Sequence, residues 1–323
     1  MKLANLTKVL ATTALVAMAA TASVAADIAV IGGSNDDAFW NKIKKGIDDA
    51  RPAVEANGGT VNYLRLANYD NFAPDVVQLI RTAISMEVDG LVIPNWVPEA
   101  EDPAIKDAMA AGITVILMNA GGADKARELG AINYVGNEEY PAGVAGGEYF
   151  AKAGKKNILC VNTLPGAANT EARCKGVADA MVAAGAASTQ LPLPTTSFGD
   201  ATAVAEAIKA ELMKDETIDG VITISAGDAD SAAIGVEQSG RADAVALASF
   251  DMNEAGLARI KEGKQLFSID QQPYLQGFLA TSILASAIDF GTDLPTFPVL
   301  TGPGIVDASN IEATLAGVAK GAR

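Results

Sequence analysis

The chain has 323 residues, half of them hydrophobic, with 39 acidic residues against 24 basic ones and no histidine. Without histidine, Ser-His-Asp and Cys-His catalytic sites are excluded, and two cysteines make zinc an improbable ligand. The acidic balance and the lack of a basic cluster argue against nucleic acid as a partner. We therefore expect a protein without catalytic residues, metal or cofactor.

Residues 1–25 have the pattern of a secretory signal peptide. Lys2 and Lys8 flank the start of an apolar segment, VLATTALVAMAATA, that is too short to span a bilayer. Small residues then predict cleavage near Ala25 or Ala26. The alternative is a single membrane anchor, which the short, alanine-rich segment disfavours. The sequence therefore predicts an exported protein.

After this segment, short apolar runs alternate with alanine-rich amphipathic segments almost to the end of the chain. Strands are predicted at 27–32, 60–66, 88–94, 113–119, 130–136, 157–162, 188–194, 218–225, 244–250 and 265–270. Helices are predicted at 39–55, 73–86, 141–152, 171–184, 201–214 and 275–290, among others. Apolar strands separated by helices are typical of an α/β protein with parallel sheets covered on both faces. Ten strands are many for one sheet, so we expect two Rossmann-like lobes joined by short, ordered segments that form a hinge.

Polar residues follow several of the first strands. The sequences GGS, PNW and NAG come directly after the first, third and fourth predicted strands. Ligands of open α/β sheets bind outside the carboxyl ends of the strands, so these loops are expected to meet at one crevice. The first loop lacks the glycine spacing of a dinucleotide site and the P-loop lysine, so no nucleotide site is predicted.

The two cysteines are Cys160, at the end of the apolar run NILCV, and Cys174, near the start of a predicted helix. An oxidising compartment permits a disulfide between them. The alternative is two buried free thiols, and we favour the disulfide.

Seven motifs occur in order: IAVIGGSNDDAFW, VDGLVIPN, GITVILMN, PGAANTEARCKG, DGVITISAGDADS, ASFDMNEA and SIDQQPYLQG. As an ordered set they resemble the ribose-type periplasmic sugar-binding proteins that serve ABC importers. The resemblance implies two lobes joined by three crossovers, near Val135, Asp270 and Asp293. The N-terminal lobe would contain 27–135 and 271–293, and the C-terminal lobe 136–270 and 294–323.

The resemblance also implies a ligand site. Asp37, Phe39 and Trp40 stand where the family places a polar residue and the aromatic residues that pack on a sugar ring. The other positions carried over are Asn119, Glu171, Arg173, Phe198, Asp228, Asp251 and Gln271, and the loop residues Asn95 and Trp96 are further candidates. Alternatives remain at four positions: core packing for Phe39 and Trp40, an ion pair or cap for Arg173, and a helix N-cap for Asp251.

Two arginines of the ribose pattern are replaced here, by Ala120 and Glu171. Carboxylate acceptors without these guanidinium donors favour a neutral ligand rich in hydroxyls, a sugar or a polyol, over an anionic one. The resemblance implies a monomer in the periplasm that captures this ligand by hinge closure and delivers it to an ABC importer permease. The alternatives are a sensor that presents the ligand to a chemoreceptor or sensor kinase and, less favoured, a glycosidase using Asp37 and Asp251.

Overall fold

The computed structural model of the protein describes residues 25–323, so the predicted signal peptide lies outside the described residues apart from Ala25. The strands are β1 Asp27–Ser34, β2 Thr60–Leu66, β3 Gly90–Ile93, β4 Thr114–Met118, β5 Asn133–Gly136, β6 Asn157–Asn162, β7 Ala187–Pro192, β8 Gly220–Thr223, β9 Ala246–Phe250, β10 Phe267–Asp270, β11 Val299–Leu300 and β12 Gly304–Val306. The helices are α1 Ala38–Ala56, α2 Phe72–Ser85, α3 Pro98–Ala110, α4 Gly122–Leu129, α5 Glu139–Lys152, α6 Ala168–Ala183, α7 Ala201–Lys214, α8 Ala226–Gln238, α9 Glu254–Lys261, α10 Pro273–Phe290 and α11 Ile311–Ala319.

The strands form two six-stranded sheets with corresponding strand orders. The first has the order β11-β5-β4-β3-β1-β2 and the second the order β12-β10-β9-β8-β6-β7. The pairings are parallel except that β12 runs antiparallel to β10. Strands such as β3 (GLVI) are buried along their whole length, which explains their continuous apolar sequence. The prediction of two α/β lobes with helix-covered parallel sheets is confirmed.

Glycines let the helices that follow the first two crossovers pack closely. A Cβ atom on Gly143 of α5 would lie 2.2 Å from the carbonyl oxygen of Arg173 on α6, and one on Gly176 would lie 2.3 Å from that of Tyr140. On the other lobe, a Cβ atom on Gly277 of α10 would lie 2.2 Å from the carbonyl oxygen of Ile43 on α1. No larger residue fits without a backbone shift, so these contacts fix how α6 and α1 are presented to the site.

The chain passes between the sheets three times, at 137–138, at 271–272 and at 301–303. The second and third passages are bonded to each other: the Thr301 hydroxyl donates to the Gln271 carbonyl at 2.7 Å, and the Gln272 side chain donates to the Thr301 carbonyl at 2.7 Å. The third passage comes later than the sequence predicted, which was near Asp293. Because β11 still pairs with β5 of the first sheet, the chain reaches the second sheet only at β12.

Cys160 of β6 and Cys174 of α6 form a disulfide, as predicted, with Cα atoms 5.6 Å apart. Both residues are buried, so the bond fastens the inner face of α6 to its sheet. Across residues 25–323, no helix combines the length and the hydropathy needed to cross a bilayer.

Candidate functional site

A cavity lies between the two lobes, at the carboxyl ends of both sheets. The strand orders are β2-β1-β3-β4-β5 and β7-β6-β8-β9-β10, so the order changes direction between β1 and β3 in one sheet and between β6 and β8 in the other. Open α/β sheets bind ligands at such switch points. The first lobe contributes Asp37, Phe39, Trp40, Tyr69, Phe72, Trp96 and Asn119 to the cavity wall. The second lobe and the crossover contribute Leu164, Asn169, Thr170, Arg173, Phe198, Ile224, Ser225, Asp251 and Gln271.

Aromatic side chains form much of the wall. Trp40 and Trp96 meet edge to face with ring centroids 5.4 Å apart, and Phe72 lies 5.2 Å from Trp96. Tyr69 contacts Phe198 at 4.8 Å, which joins the two lobes across the cavity. Aromatic rings present flat apolar surfaces, and a polyhydroxylated ring has C–H bonds on its faces that pack on them. Tyr69 and Phe72 were not predicted.

Asp37 is held by a chain of hydrogen bonds at the start of α1. As the N-cap residue, it accepts from the Phe39 amide at 3.0 Å through one carboxylate oxygen. The other oxygen accepts from the Tyr69 hydroxyl at 2.9 Å, and that hydroxyl accepts from the Trp40 indole N–H at 3.1 Å. Burial raises the pKa of Asp37, against the lowering effect of these two donors. The capping bond explains why an aspartate precedes the aromatic pair, and both oxygens keep lone pairs for a ligand hydroxyl.

Asp251 and Gln271 form a second polar pair. Asp251 has a left-handed backbone conformation, with φ 63°, and its side chain accepts from the Gln271 amide at 2.7 Å. The N-cap of the following helix is Asn253, whose side chain accepts from the Gly256 amide at 2.7 Å. The helix-cap alternative for Asp251 therefore does not apply. Burial raises the pKa of Asp251 to about 7, although the Arg173 and Lys42 charges lower it.

Arg173 lines the cavity and is anchored to the second lobe by three hydrogen bonds. Its Nε and Nη2 atoms donate to the two Glu139 carboxylate oxygens at 2.7 and 2.9 Å, and Nη1 donates to the Ile224 carbonyl at 2.8 Å. The guanidinium also lies 4.6 Å from the centroid of the Phe250 ring. A guanidinium has five N–H donors, so two remain after these three bonds. The ion-pair alternative and a place in the cavity wall are therefore compatible.

Three predicted site residues are engaged elsewhere and do not line this cavity. Asn95 is fully buried and donates to Asp102 at 2.7 Å. Glu171 accepts from Asn162 at 3.1 Å and from the Gly166 amide at 2.9 Å, bonds that brace the loop before α6.

Asp228, the third of these residues, sits in the first turn of α8 and accepts from the Thr163 hydroxyl at 2.8 Å. Burial raises its pKa to about 6. It lines an outer pocket that opens beside Asp37, Phe198 and Asp251. Asn119, in contrast, lines the inner cavity in a left-handed conformation, φ 67°, and donates to Gln276 at 3.2 Å.

The two lobes also contact each other directly beside the cavity. The Ala168 amide, at the start of α6, donates to the Trp96 carbonyl of the first lobe at 2.7 Å. The Lys42 ammonium of α1 donates to the Met252 carbonyl of the second lobe. Burial lowers the pKa of Lys42, while the carboxylates of Asp251, Asp270 and Asp37 raise it. The structure therefore has the two lobes in direct contact around the cavity.

The buried Asp251 makes the stability of the ligand-free protein depend on pH. Its pKa is about 7 in the folded protein against an ordinary value of 3.8, so folding favours the neutral carboxyl. The stabilising contribution is complete below the unfolded pKa and is lost as the pH rises through about 7. The groups that face it are Arg173, Lys42 and Asp37. We expect the free energy of unfolding in urea to fall as the pH rises from about 4 to about 7, between the unfolded and folded pKa values of Asp251.

The Asp251→Asn variant is the control, since asparagine keeps an acceptor for Gln271 but does not titrate. The raised pKa values of Asp228, about 6, and Glu101, about 8, add to the fall in both proteins. The variant is therefore expected to lose less stability than the wild type over the same range. If the free energy of unfolding fell equally with pH in the two proteins, the pH dependence could not be assigned to Asp251.

In the part of the chain that the structure describes, no group of three or more His, Cys, Asp or Glu side chains is arranged to hold a metal ion. The cavity offers carboxylates, amides, one guanidinium and aromatic faces. This set suits a neutral ring with hydroxyls on its edge.

Comparison with known proteins agrees with this geometry. A sequence profile described as the periplasmic binding protein domain matches residues 28–293. The chain belongs to the periplasmic binding protein family. A carbohydrate transporter from Acidothermus cellulolyticus 11B, crystallised in complex with myo-inositol, is 34% identical, with a TM-score of 0.83 over 92% of this chain and 99% of that one.

Two further relatives are more distant. The xylose/arabinose-binding protein XylF of Sulfolobus acidocaldarius is 25% identical over an alignment of 293 positions, and the match covers 86% of this chain and 70% of that protein. An ABC transporter solute binding protein from Agrobacterium vitis with bound D-fucose is 21% identical, with a TM-score of 0.78 over 90% of this chain and 99% of that one. The last likeness concerns the fold alone.

Proposed function

We propose that this protein is an exported solute-binding protein that captures one neutral cyclitol or sugar between its lobes and delivers it to an ABC importer permease. The observation that carries the proposal is the closed cavity, which combines aromatic walls with the carboxylates of Asp37 and Asp251. Carboxylates bind hydroxyls by charge-assisted hydrogen bonds, and aromatic faces bind the C–H faces of the ring. The myo-inositol complex of the 34% identical protein supports a cyclitol as the first candidate.

Closure is the working step of the proposed mechanism. The ligand stabilises the closed form because it contacts both lobes there, and only such a difference in contacts shifts the equilibrium between open and closed forms. The permease then recognises the closed form. We expect a monomer with an affinity of micromolar or better, about 8–10 kcal/mol. No chemical step is required, and a binding role without catalysis also agrees with the relatives, which are binding proteins.

The proposal is tested by calorimetric titration of the protein from Ala26 onward with myo-inositol, D-xylose, D-arabinose, D-glucose, D-fucose and D-glucuronate. At least one neutral compound is expected to bind, and the affinity is expected to fall in Phe39→Ala. The matched control is Phe290→Ala, because Phe290 is 66% exposed at the end of α10 and does not line the cavity. Binding of D-glucuronate alone would refute the neutral ligand, and binding of none would refute the proposed function.

Lys42 provides a separate test of closure. It lies outside the inner cavity but bridges the lobes through the Met252 carbonyl. Lys42→Met is expected to lower the affinity for every ligand by the same factor, about tenfold, because it removes a charged hydrogen bond of the closed form alone. Lys44→Met, on the exposed face of the same helix, is the control. A loss restricted to some ligands would instead indicate direct contact between Lys42 and the ligand.

A further inference from the structure

Glu101 of α3 is a buried carboxyl group that lies behind the cavity wall. It is 0% exposed, and its Oε2 atom accepts from the Trp96 amide at 2.7 Å. Its Oε1 atom has no hydrogen-bond partner within residues 25–323. Glu101 does not itself line the cavity, whereas Trp96 does. Buried polar atoms are nearly always paired, so the free oxygen of this carboxyl group calls for an explanation.

Trp96 connects the aromatic wall of the cavity with the second lobe. Its ring meets Trp40 edge to face at 5.4 Å and lies 5.2 Å from Phe72. Its carbonyl accepts from the Ala168 amide, at the start of α6, at 2.7 Å. Glu101 holds the backbone amide of the same residue. A change at Glu101 is therefore passed on both to the cavity wall and to a contact between the lobes.

The residues next to this hydrogen bond form a second link between the same loop and α3. The Asn95 side chain donates to one carboxylate oxygen of Asp102 at 2.7 Å, and Lys125 of α4 donates to the other at 3.1 Å. The Asn95 side-chain oxygen, like Oε1 of Glu101, has no partner in the described part of the chain. A proton on Glu101 supplies one O–H donor to a buried cluster in which two acceptors have no donor.

The charges around Glu101 also favour its neutral form. Burial raises the pKa of Glu101 to about 8, although the Trp96 and Val97 amides lower it. The Asp102 carboxylate, on the same helix, raises the pKa further. Lys125, on the neighbouring helix, forms its ion pairs with Asp102 and with Glu128 on its own helix. Glu101 therefore keeps its proton in the folded protein at a pH where an ordinary glutamate is ionised.

We propose that Glu101 is a positioning residue that acts on ligand binding through Trp96, and that it does so as a neutral carboxyl group. The inference rests on the proposed function. Oε2 accepts from the Trp96 amide, and the proton resides on Oε1. In the proposed mechanism, opening breaks the contact of Trp96 with Ala168 and lets water approach this loop, so the open form releases the proton more readily. The protonated form therefore favours closure, and the affinity falls as the pH rises toward about 8 and beyond.

The experiment compares Glu101→Gln and Glu101→Leu with the wild type by calorimetric titration with myo-inositol and D-xylose. Glutamine keeps an acceptor and a donor at the same place and does not titrate, whereas leucine offers neither. At neutral pH we expect Glu101→Gln to retain the affinity within about threefold and Glu101→Leu to lower it about tenfold for both probes. The matched control is Glu99→Gln, because Glu99 is exposed on the same helix and its replacement removes the same charge.

The dependence of the affinity on pH separates this role from a merely structural one. Between about pH 7 and about pH 9, the wild type is expected to lose about threefold to tenfold more affinity than Glu101→Gln does. The titrating groups Asp37, Asp251 and Lys42 are the same in both proteins, so the ratio of the two affinities isolates Glu101. Glu99→Gln is expected to follow the wild type. A structural role would change the affinity of the variants by a factor that does not vary with pH.

Two measurements on the ligand-free protein do not depend on binding. At about pH 6, where an ordinary glutamate is ionised, infrared spectroscopy is expected to show the C=O stretch of a protonated carboxyl group that is missing in Glu101→Gln. The chain has two tryptophans, so in a Trp40→Phe background the fluorescence reports Trp96 alone. Its emission is expected to change with pH as Glu101 titrates and to lose this change when Glu101→Gln is added.

The proposal is overturned if Glu101→Leu binds as the wild type does, if Glu101→Gln keeps the pH dependence of the wild type, or if the infrared band is the same in both proteins. A wild-type protein that binds neither probe counts against the proposed function instead. In that case the ligand-free measurements still decide about Glu101. The infrared band and the change in Trp96 emission together support a neutral carboxyl group that positions Trp96, and the absence of either overturns it.

Discussion

Replacing Arg173 with methionine is expected to destabilise the protein by about 3–5 kcal/mol and to abolish ligand binding. The guanidinium and the Glu139 carboxylate are 4% and 6% exposed and share two hydrogen bonds. Removing one partner of a buried pair leaves the other charge without compensation, and that charge causes most of the loss. The Ile224 carbonyl also loses its donor. Urea denaturation and calorimetric titration measure the two effects.

The double variant Arg173→Met/Glu139→Gln separates these effects. Removing both charges takes away the buried unpaired carboxylate, so most of the stability is expected to return. Ligand binding is not expected to return, because the two remaining N–H donors of the guanidinium are still missing from the cavity wall. A double variant that regains both would show that Arg173 acts on binding through the fold alone. A double variant that regains neither stability nor binding would show that the unpaired Glu139 carboxylate does not cause the loss of stability.

Removing the disulfide is expected to have the second largest effect. Cys160 and Cys174 are separated by 14 positions, and a loop of this length stabilises the folded state by about 3 kcal/mol through the lost freedom of the unfolded chain. The double variant Cys160→Ala/Cys174→Ala is expected to unfold at lower urea concentration by that free energy. Because the cross-link also fastens α6, which carries Asn169 and Arg173, a smaller loss of affinity is expected as well.

The control for this variant is the wild type under strong reducing conditions after unfolding, which removes the bond without removing the sulfur atoms. Both proteins are expected to show a similar loss of stability. A loss under about 1 kcal/mol in both would contradict the prediction. A loss in the alanine variant alone would assign the effect to packing, since both sulfur atoms are buried.

Much of the fold could be predicted because its signals are local. Each of the ten predicted runs overlaps a strand, and a central strand such as β3, which is buried along its whole length, has an unbroken apolar sequence. The strands β11 and β12 have two and three residues, too few for any periodicity. Their pairing decides where the third crossover lies, which explains why it was expected near Asp293 and is found at 301–303.

Site residues could be predicted where they lie in a loop that directly follows a predicted strand. Asp37, Phe39, Trp40 and Asn119 follow first-lobe strands, and they line the cavity. Arg173, Phe198, Asp251 and Gln271 line it as well, at positions that the family resemblance supplied.

The remaining predicted residues are engaged by partners that the sequence does not reveal. Asp102 engages Asn95, Thr163 engages Asp228, and Asn162 engages Glu171. Sequence alone does not reveal these bonds, because they depend on how neighbouring loops and helices pack.

Seven cavity residues were not predicted: Tyr69, Phe72, Leu164, Asn169, Thr170, Ile224 and Ser225. Tyr69 lies in the loop after β2 and Phe72 is the first residue of α2, and two aromatic residues in the polar segment NYDNF were an available signal. Their place in the wall depends on the contact of Tyr69 with Phe198, which requires closure of the lobes. Asn169 gave no signal, because an asparagine in the first turn of a helix is ordinary and its unbonded oxygen is visible only in the folded protein.

The contact between Tyr69 and Phe198 has a consequence for the rate at which a ligand leaves. The two rings belong to different lobes and meet with centroids 4.8 Å apart, and both line the cavity. In the proposed mechanism, a ligand enclosed behind them departs after the rings separate, so opening sets an upper limit on every dissociation rate constant. Domain openings of this kind take microseconds to milliseconds. Weakly bound ligands therefore approach one common departure rate, and among tight ones residence time follows how seldom the aromatic contact breaks.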